Sequence, residues 1–559
     1  MNQSNGKPIF PALFIFLLNL LIFFILFVFR SLDDNRLTSW KWVFADIHIV
    51  SILAILIPGL VLAYALSKTS HLERNPIYLL LISFFLAAIF WKVPEVIIDA
   101  SRYFTQAKHL NEYGIAYFLD EWGRNIMAWT DLPAVPFLYG LVYKFFGEYR
   151  FVIQVFTTLL FSMTVGLTYL IGKSLWNEDT GISAGLLMLG IPYLYTQVPL
   201  MLVDVPAMFF FTFAVFAIIK ALDQGTYKWI GISAIGLFLA FFSKYSNWLW
   251  ISVLLPILVV FFKANPKKTV TRAGIIAGLS LFLVLAVILI WFDVFSDQIR
   301  FLFSYQRPGL KRWGESFIST FFFQIHPFIS IAALISVFVA LRAKDLKYSI
   351  ICFLILLVIA LQIRRIRYLI PIFPMIALMA AYGLQIFRNQ ATRKLIVYCI
   401  VISAVVLAYF AYVPYLQSIS TVNLKRAGGF INTLDVDHIK IFTLPQKKSI
   451  VNPAIAVPLL DIFTNKKILY EPDLDSPPNW NRIEKSSLRF TWEYKSPRYY
   501  NKKNERPGTT SAVVVVSHSS DQAIPKKLAH QTKQFKNSKT FKTVSNRFRY
   551  RTVVTVYYD

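Results

Sequence analysis

The chain has 559 residues, of which 56% are hydrophobic and only 16% charged, and its mean hydropathy of +0.55 with 51 phenylalanines excludes an ordinary water-soluble globular protein. A formal net charge of +27 would suggest nucleic acid in a soluble protein. Here the basic residues sit in short loops between apolar runs and in the C-terminal part, so membrane orientation accounts for the loops and no nucleic-acid partner is expected.

The first apolar run, Phe10 to Phe29, is too long for a signal-peptide core and lacks a small-residue cleavage site, so it reads as a retained helix. Runs near 9–29, 47–67, 77–95, 150–173, 180–197, 204–222, 227–243, 245–263, 272–294, 322–342, 347–364, 368–387 and 395–416 each approach the roughly 20 apolar residues that a span needs. These are thirteen candidate spans. The two cysteines, Cys352 and Cys399, lie inside such runs and define neither a disulfide framework nor a zinc site.

A cytoplasmic N-terminus places four groups of cations inside: Lys68 and Arg74; Lys263, Lys267, Lys268 and Arg272; Arg342, Lys344 and Lys347; and Arg388, Arg393 and Lys394. The segments 96–149, 198–204, 295–321 and everything after 417 then lie outside, in a bacterial or archaeal plasma (inner) membrane. The loop 96–149 contains FLDEWGRNIMAWTDLPAVPFLYGLVYKFFGE and reads as short amphipathic helices in the membrane interface.

Beyond 417 the composition turns polar, with 24 Lys and Arg against 11 Asp and Glu. Alternation in 438–444, 511–516 and 549–558 predicts strands, and 426–434 and 456–463 read as short helices. The expected architecture is an all-α polytopic membrane domain followed by a small extracytoplasmic α/β domain. Its expected divisions are two additional N-terminal helices (1–76), a catalytic membrane part (77–417) and the outer domain (418–559).

Ionised groups at membrane depth cost about 2.5–3.5 kcal/mol each on insertion scales, so the charges at the outer face carry the functional information. In VPEVIIDASRYFTQAKHL, helical spacing puts Asp99, Arg102, Tyr103 and Gln106 on one face; Asp99 is either a helix cap or a carboxylate at the mouth of a cavity. Asp204, in LMLVDVPAMFF, marks a very short outer turn and carries the same two readings. Lys244 in FFSKYSNW, and Arg364, Arg365 and Arg367 followed by Tyr368 in QIRRIRYLIPIFP, run against the inner location of the other basic groups. Snorkelling to head groups is one explanation. A site for an anion such as a lipid-linked phosphate is the other. Tyr305, Arg307, Lys311 and Arg312 lie on a longer outer loop and read as a solvated face.

In order and spacing these segments resemble GT-C fold glycosyltransferases of family 39, the protein O-mannosyltransferases and lipid A aminoarabinose transferases. The likeness is carried by Asp99, Arg102, Tyr103, Ala107 and Gly114, by DLPAVPFLYGLVYKFFGE ending at Gly147, by LMLVDVPAMFF, by AFFSKYSNW and by RIRYLIPIFPMIALMAAYGL, over roughly residues 77–390. It implies transfer of a sugar from a polyprenyl-phosphate donor to a lipid, protein or glycan acceptor, with membrane lipids as surroundings. It further implies that the acid Asp99 acts on the acceptor and that Lys244 and Arg367 hold the carrier phosphate. Many members carry a second acid directly after the first; Ala100 stands there in this chain, leaving Glu95 as an alternative.

From these residues the expected mechanism is inverting displacement, with Asp99 as base, Asp204 orienting acceptor or sugar, and Arg102, Tyr103, Arg364, Arg365 and Tyr368 contacting substrate. No His or Cys cluster suggests a bound metal; a divalent ion is left open only through Asp99 and Asp204. A transporter or flippase of lipid-linked sugars, a polysaccharide ligase or polymerase, and a non-catalytic scaffold are the rival classes. The charges collected on one face, without an internal repeat, favour the transferase over a transporter.

Overall fold

The computed structural model describes residues 9–69, 75–95, 98–306, 314–445, 450–470, 480–484, 486, 488–501, 511–543 and 550–559. Arg74, Arg307, Lys311, Arg312 and the side chain of Tyr305 lie outside the described residues, as does the start of the strand expected at 549.

Among the described residues, eight helices are long and apolar enough to cross a membrane: Pro11–Val28, Ile49–Ser67, Arg150–Leu175, Asp204–Gln224, Ser246–Ala264, Pro266–Ile290, Ile366–Ile386 and Gln390–Leu416. Shorter apolar helices occupy Ile77–Lys92, Tyr227–Ser243, Pro327–Ala343 and Tyr348–Ala360, at the places of four further expected runs. The chain is a multi-pass membrane protein. The remaining run, 180–197, is not one helix: it divides into Glu178–Met188 and Pro192–Gln197. Pro192 has no amide hydrogen to continue the first ladder, and Gly190 packs its backbone against Ile400, so the chain breaks and restarts there.

Asp204–Gln224 and Ile366–Ile386 are the innermost helices, each 89% buried, whereas Pro266–Ile290 is 11% buried and lies at the periphery. One apolar cluster joins Phe209, Met208 and Val215 of the first to Met375, Leu378 and Ala381 of the second. Burying side chains of this size contributes about 1.5–3 kcal/mol each where water is excluded. The two N-terminal spans dock on the core through the connection between them. There Asp33 accepts from the Trp40 amide (2.7 Å), Ser319 (2.6 Å) and Gln324 (2.8 Å), and the Trp40 indole donates to Tyr412 (3.0 Å).

The loop expected in the interface forms two helices, Asp99–Glu121 and Ala134–Phe146, packed against each other. The first is kinked at Gly114, whose φ of +91° only glycine adopts without strain; a Cβ added there would meet nothing within 4 Å, so conformation and not space requires the glycine. Gly147 (φ +89°) stops the second helix.

The C-terminal part carries a five-stranded sheet in the order β2-β1-β3-β5-β4: β1 His438–Thr443, β2 Lys467–Tyr470, β3 Ser511–Ser517, β4 Asn537–Phe541 and β5 Val553–Tyr558. β1 runs parallel to both β2 and β3, and β5 pairs antiparallel with β3 and β4. Sequence alternation indicated β1, β3 and β5. It missed β2, which is only four residues long, and the edge strand β4, whose NSKTF sequence is exposed and polar. The helices Thr421–Ile431 and Ala456–Asp461 fall in the expected segments.

Candidate functional site

Two acids begin helices. Asp99 opens Asp99–Glu121 and Asp204 opens Asp204–Gln224, and each lies one residue inside a helix whose capping residues, Ile98 and Val203, make no side-chain cap. Both carboxylates therefore occupy the positive ends of helix dipoles without capping them. Their partners are cations from other elements. Lys244 stands in the break between Tyr227–Ser243 and the next span, where its extended backbone (φ −163°, ψ 138°) ends the helix. Arg367 lies in the first turn of Ile366–Ile386, preceded by Arg365 in extended conformation.

The result is a continuous chain of alternating charges. Lys244 Nζ contacts Asp204 Oδ1 at 2.6 Å, and Arg367 Nε contacts Asp204 Oδ2 at 2.9 Å. The other end of the Arg367 guanidinium donates to Asp99 Oδ2. Arg102 Nη2 lies 3.0 Å from Asp99 Oδ1 and 3.3 Å from Asp131 Oδ1. Gln106, one turn further along the helix, donates to Asp131 Oδ2 at 3.0 Å and accepts from the Trp122 indole. Asp204, Arg367, Arg102 and Asp131 are buried, and Asp99 and Lys244 are nearly so. Three carboxylates and three cations thus balance at one end of the bundle. Burying such groups is tolerable only because each is paired and hydrogen-bonded.

Of the residues singled out from sequence, Asp99, Arg102, Asp204, Lys244 and Arg367 converge in this network. Tyr103 is buried beside Arg102, 5.5 Å from guanidinium carbon to ring centre, and Tyr368 lies 5.6 Å below the Lys244 ammonium. Arg365 packs over Tyr368 and near Glu315, at the edge of the network. Arg364 does not join: it is exposed and donates to Gln362 at 2.7 Å, because the turn before the helix aims it outward. Glu95 is taken by Arg150 (3.0 Å) and the Met201 amide (3.2 Å), so it pins two loops together. Ala100, where relatives carry a second acid, is fully buried in the apolar core.

Sequence reading missed Asp131. The signal was present in the loop 96–149, as an Asp two residues before Pro133 at the start of Ala134–Phe146, but nothing in one dimension shows that Arg102 and Gln106 reach it. Burial pushes the Asp131 carboxyl up to about 6, against the pull of Arg102. Burial acts on Asp99 in the same direction, yet the Arg102 and Arg367 guanidiniums outweigh it and hold that carboxyl well below the usual range. Among the described residues no group of three His, Cys, Asp or Glu converges, and both Asp204 oxygens are already matched to cations. The donor set suits an anion that competes for Arg367 and Lys244 better than a divalent ion.

The family model for dolichyl-phosphate-mannose-protein mannosyltransferases matches residues 131–291, a stretch that begins at Asp131 and includes Asp204 and Lys244. The chain is a membrane glycosyltransferase of the GT-C fold. Its fold is that of ArnT from Cupriavidus metallidurans: the structure bound to undecaprenyl phosphate aligns with a TM-score of 0.54 at 11% identity, covering 88% of this chain and 98% of that one. The apo structure of the same protein aligns with a TM-score of 0.50 at 11% identity, covering 85% and 97%. No curated protein matches the sequence.

Proposed function

We propose that the chain transfers a sugar from a polyprenyl-phosphate donor to an acceptor on the extracytoplasmic face of a plasma membrane, with inversion at the anomeric carbon. The observation that carries this reading is the bridging of Asp99 and Asp204 by Arg367, with Lys244 on the far oxygen of Asp204. A phosphate entering the network replaces a carboxylate as partner of the two cations, so the site is organised to take up one more anion. ArnT, which shares the fold, is seen with undecaprenyl phosphate bound, and that supports a carrier lipid of this kind here. The inner location of the basic loops supports the orientation.

In the reaction the acceptor oxygen bonds to the anomeric carbon while the carbon–oxygen bond to phosphate breaks, and the electron pair departs on the phosphate oxygen. Arg367 and Lys244 stabilise that charge. The acceptor proton passes to Asp99. Its pairing with guanidiniums makes it a weak base, which suffices where the sugar develops oxocarbenium character before the proton is lost. Arg367 turning toward phosphate also releases one of the two cations that depress it. A second reading gives the proton to Asp131, favoured by its raised carboxyl pKa of about 6. The sugar transferred and a hexosyl or pentosyl identity rest on the likeness alone.

Undecaprenyl phosphate binding to the purified protein tests the proposal. Arg367→Ala weakens binding by about tenfold to a hundredfold, the value of a lost charge-assisted contact, and Arg367→Lys retains most of it. Unchanged binding in Arg367→Ala removes the phosphate assignment.

A further inference from the structure

A cleft of about 210 Å³ opens between the helix Asp99–Glu121 and the C-terminal segment 494–498. One wall is the helix face one to four turns beyond Asp99, bearing Arg102, Gln106, His109, Tyr113 and Tyr117; the opposite wall is Tyr494 to Arg498. At its inner end Arg102 and Gln106 are the two side chains that hold Asp131, so the cleft leads to the charged network from the side away from Lys244. Its chemistry differs from that of the network. Three cations, Arg102, Lys495 and Arg498, line it, and no carboxylate does. His109 lies parallel to Tyr117 at 6.4 Å, and Tyr113 meets Tyr117 at 4.8 Å, forming an aromatic strip along one side. Trp129 faces it under the Arg102 guanidinium. The buried Ser496 hydroxyl has no hydrogen-bond partner among the described residues.

Flat aromatic faces bind the apolar face of a sugar ring, polar termini take its hydroxyls, and uncompensated cations select a negative charge. We propose that this cleft is the acceptor subsite and that it takes an anionic saccharide, with Lys495 and Arg498 of the C-terminal domain selecting the charge. The proposal rests on the transferase reading above and deepens it. It gives the C-terminal domain a part in substrate choice, since two of the three cations belong to it. It also separates the two substrates: the lipid phosphate enters at Lys244 and Arg367, and the acceptor glycan enters past Tyr113 and Tyr117 toward Asp131 and Asp99.

The test compares trehalose 6-phosphate with trehalose, which differ by one phosphate, binding to the full-length protein in micelles and read by saturation-transfer NMR. The expected result is at least tenfold tighter binding of the phosphorylated sugar, persisting when undecaprenyl phosphate is saturating. Lys495→Glu with Arg498→Glu, two exposed positions, abolishes that preference and leaves undecaprenyl phosphate binding unchanged, which also reports that the variant is folded. Equal affinity for the two sugars, binding of neither, or a preference that survives the double substitution overturns the proposal. Displacement of trehalose 6-phosphate by undecaprenyl phosphate overturns it too, since the anion then occupies the Lys244 and Arg367 site. In all these cases the donor reading stands. Failure of undecaprenyl phosphate to bind the unmodified protein is a different result and defeats the donor reading itself.

Discussion

Asp99 and Asp131 are two carboxylates on the same guanidinium, Arg102, in opposite protonation regimes. A second cation, Arg367, holds Asp99 ionised to low pH, while Asp131 shares a single cation in a buried place and is pushed up to about 6. A base acts only when ionised, so the pH dependence of transfer separates the two roles. With Asp99 as base, kcat/KM for the acceptor stays level from pH 8 to pH 5. A fall of tenfold per pH unit below about 6 moves the role to Asp131. Asp99→Asn lowers the rate by about a hundredfold to ten-thousandfold without loss of membrane insertion, the usual weight of general base catalysis. Neither effect is expected of Arg364→Ala, because that side chain faces solvent.

At the scale of elements, the network is set by where helices begin and break. Asp99 and Asp204 are in first turns, Lys244 is in a break and Arg367 follows an extended residue, so every charge sits where the backbone changes direction. Gly114 has the corresponding role for the cleft, because its kink directs the Tyr117 and Trp122 half of the helix. A side chain at φ +91° and ψ 174° costs about 1–3 kcal/mol. Gly114→Ala therefore lowers the thermal unfolding midpoint in micelles. Gly231→Ala, within Tyr227–Ser243 and with no atom within 4 Å of the added methyl, leaves the midpoint unchanged or raises it slightly. Equal behaviour of the two variants refutes the strain argument.

The whole molecule is joined across its two parts by a buried charge cluster. Lys108, on the helix that carries Asp99, contacts Glu148 at 2.6 Å and Asp461 of the C-terminal part at 2.9 Å, and Tyr500 also donates to Asp461. Burial pushes the Glu148 carboxyl up to about 7, against the pull of Lys108. Removing one partner of such a group leaves the others buried and unpaired, at a cost of about 3–5 kcal/mol. Lys108→Met loosens the C-terminal part, visible as faster limited proteolysis after residue 417, while undecaprenyl phosphate binding persists. Proteolysis at the unmodified rate shows that the cluster does not hold the two parts together.

The sequence by itself determined the membrane class, the positions of the long apolar helices and the presence of a polar α/β end. Hydropathy runs and strand alternation are local properties, and the bilayer leaves few alternatives for a chain that must satisfy its backbone within each span. Five of the charged residues that meet in the network were legible for a related reason: an ion in an apolar stretch is costly and stands out. Asp131, by contrast, sits in a loop where an acid is ordinary, and Glu95 gave no sign that Arg150 and Met201 would take it. Lys495 and Arg498 looked like two among many basic residues. Only the tertiary structure decided which acid meets which cation, that the 180–197 run breaks, and that a C-terminal segment closes a cleft over the first loop, because pairing across hundreds of residues depends on packing that no local pattern encodes.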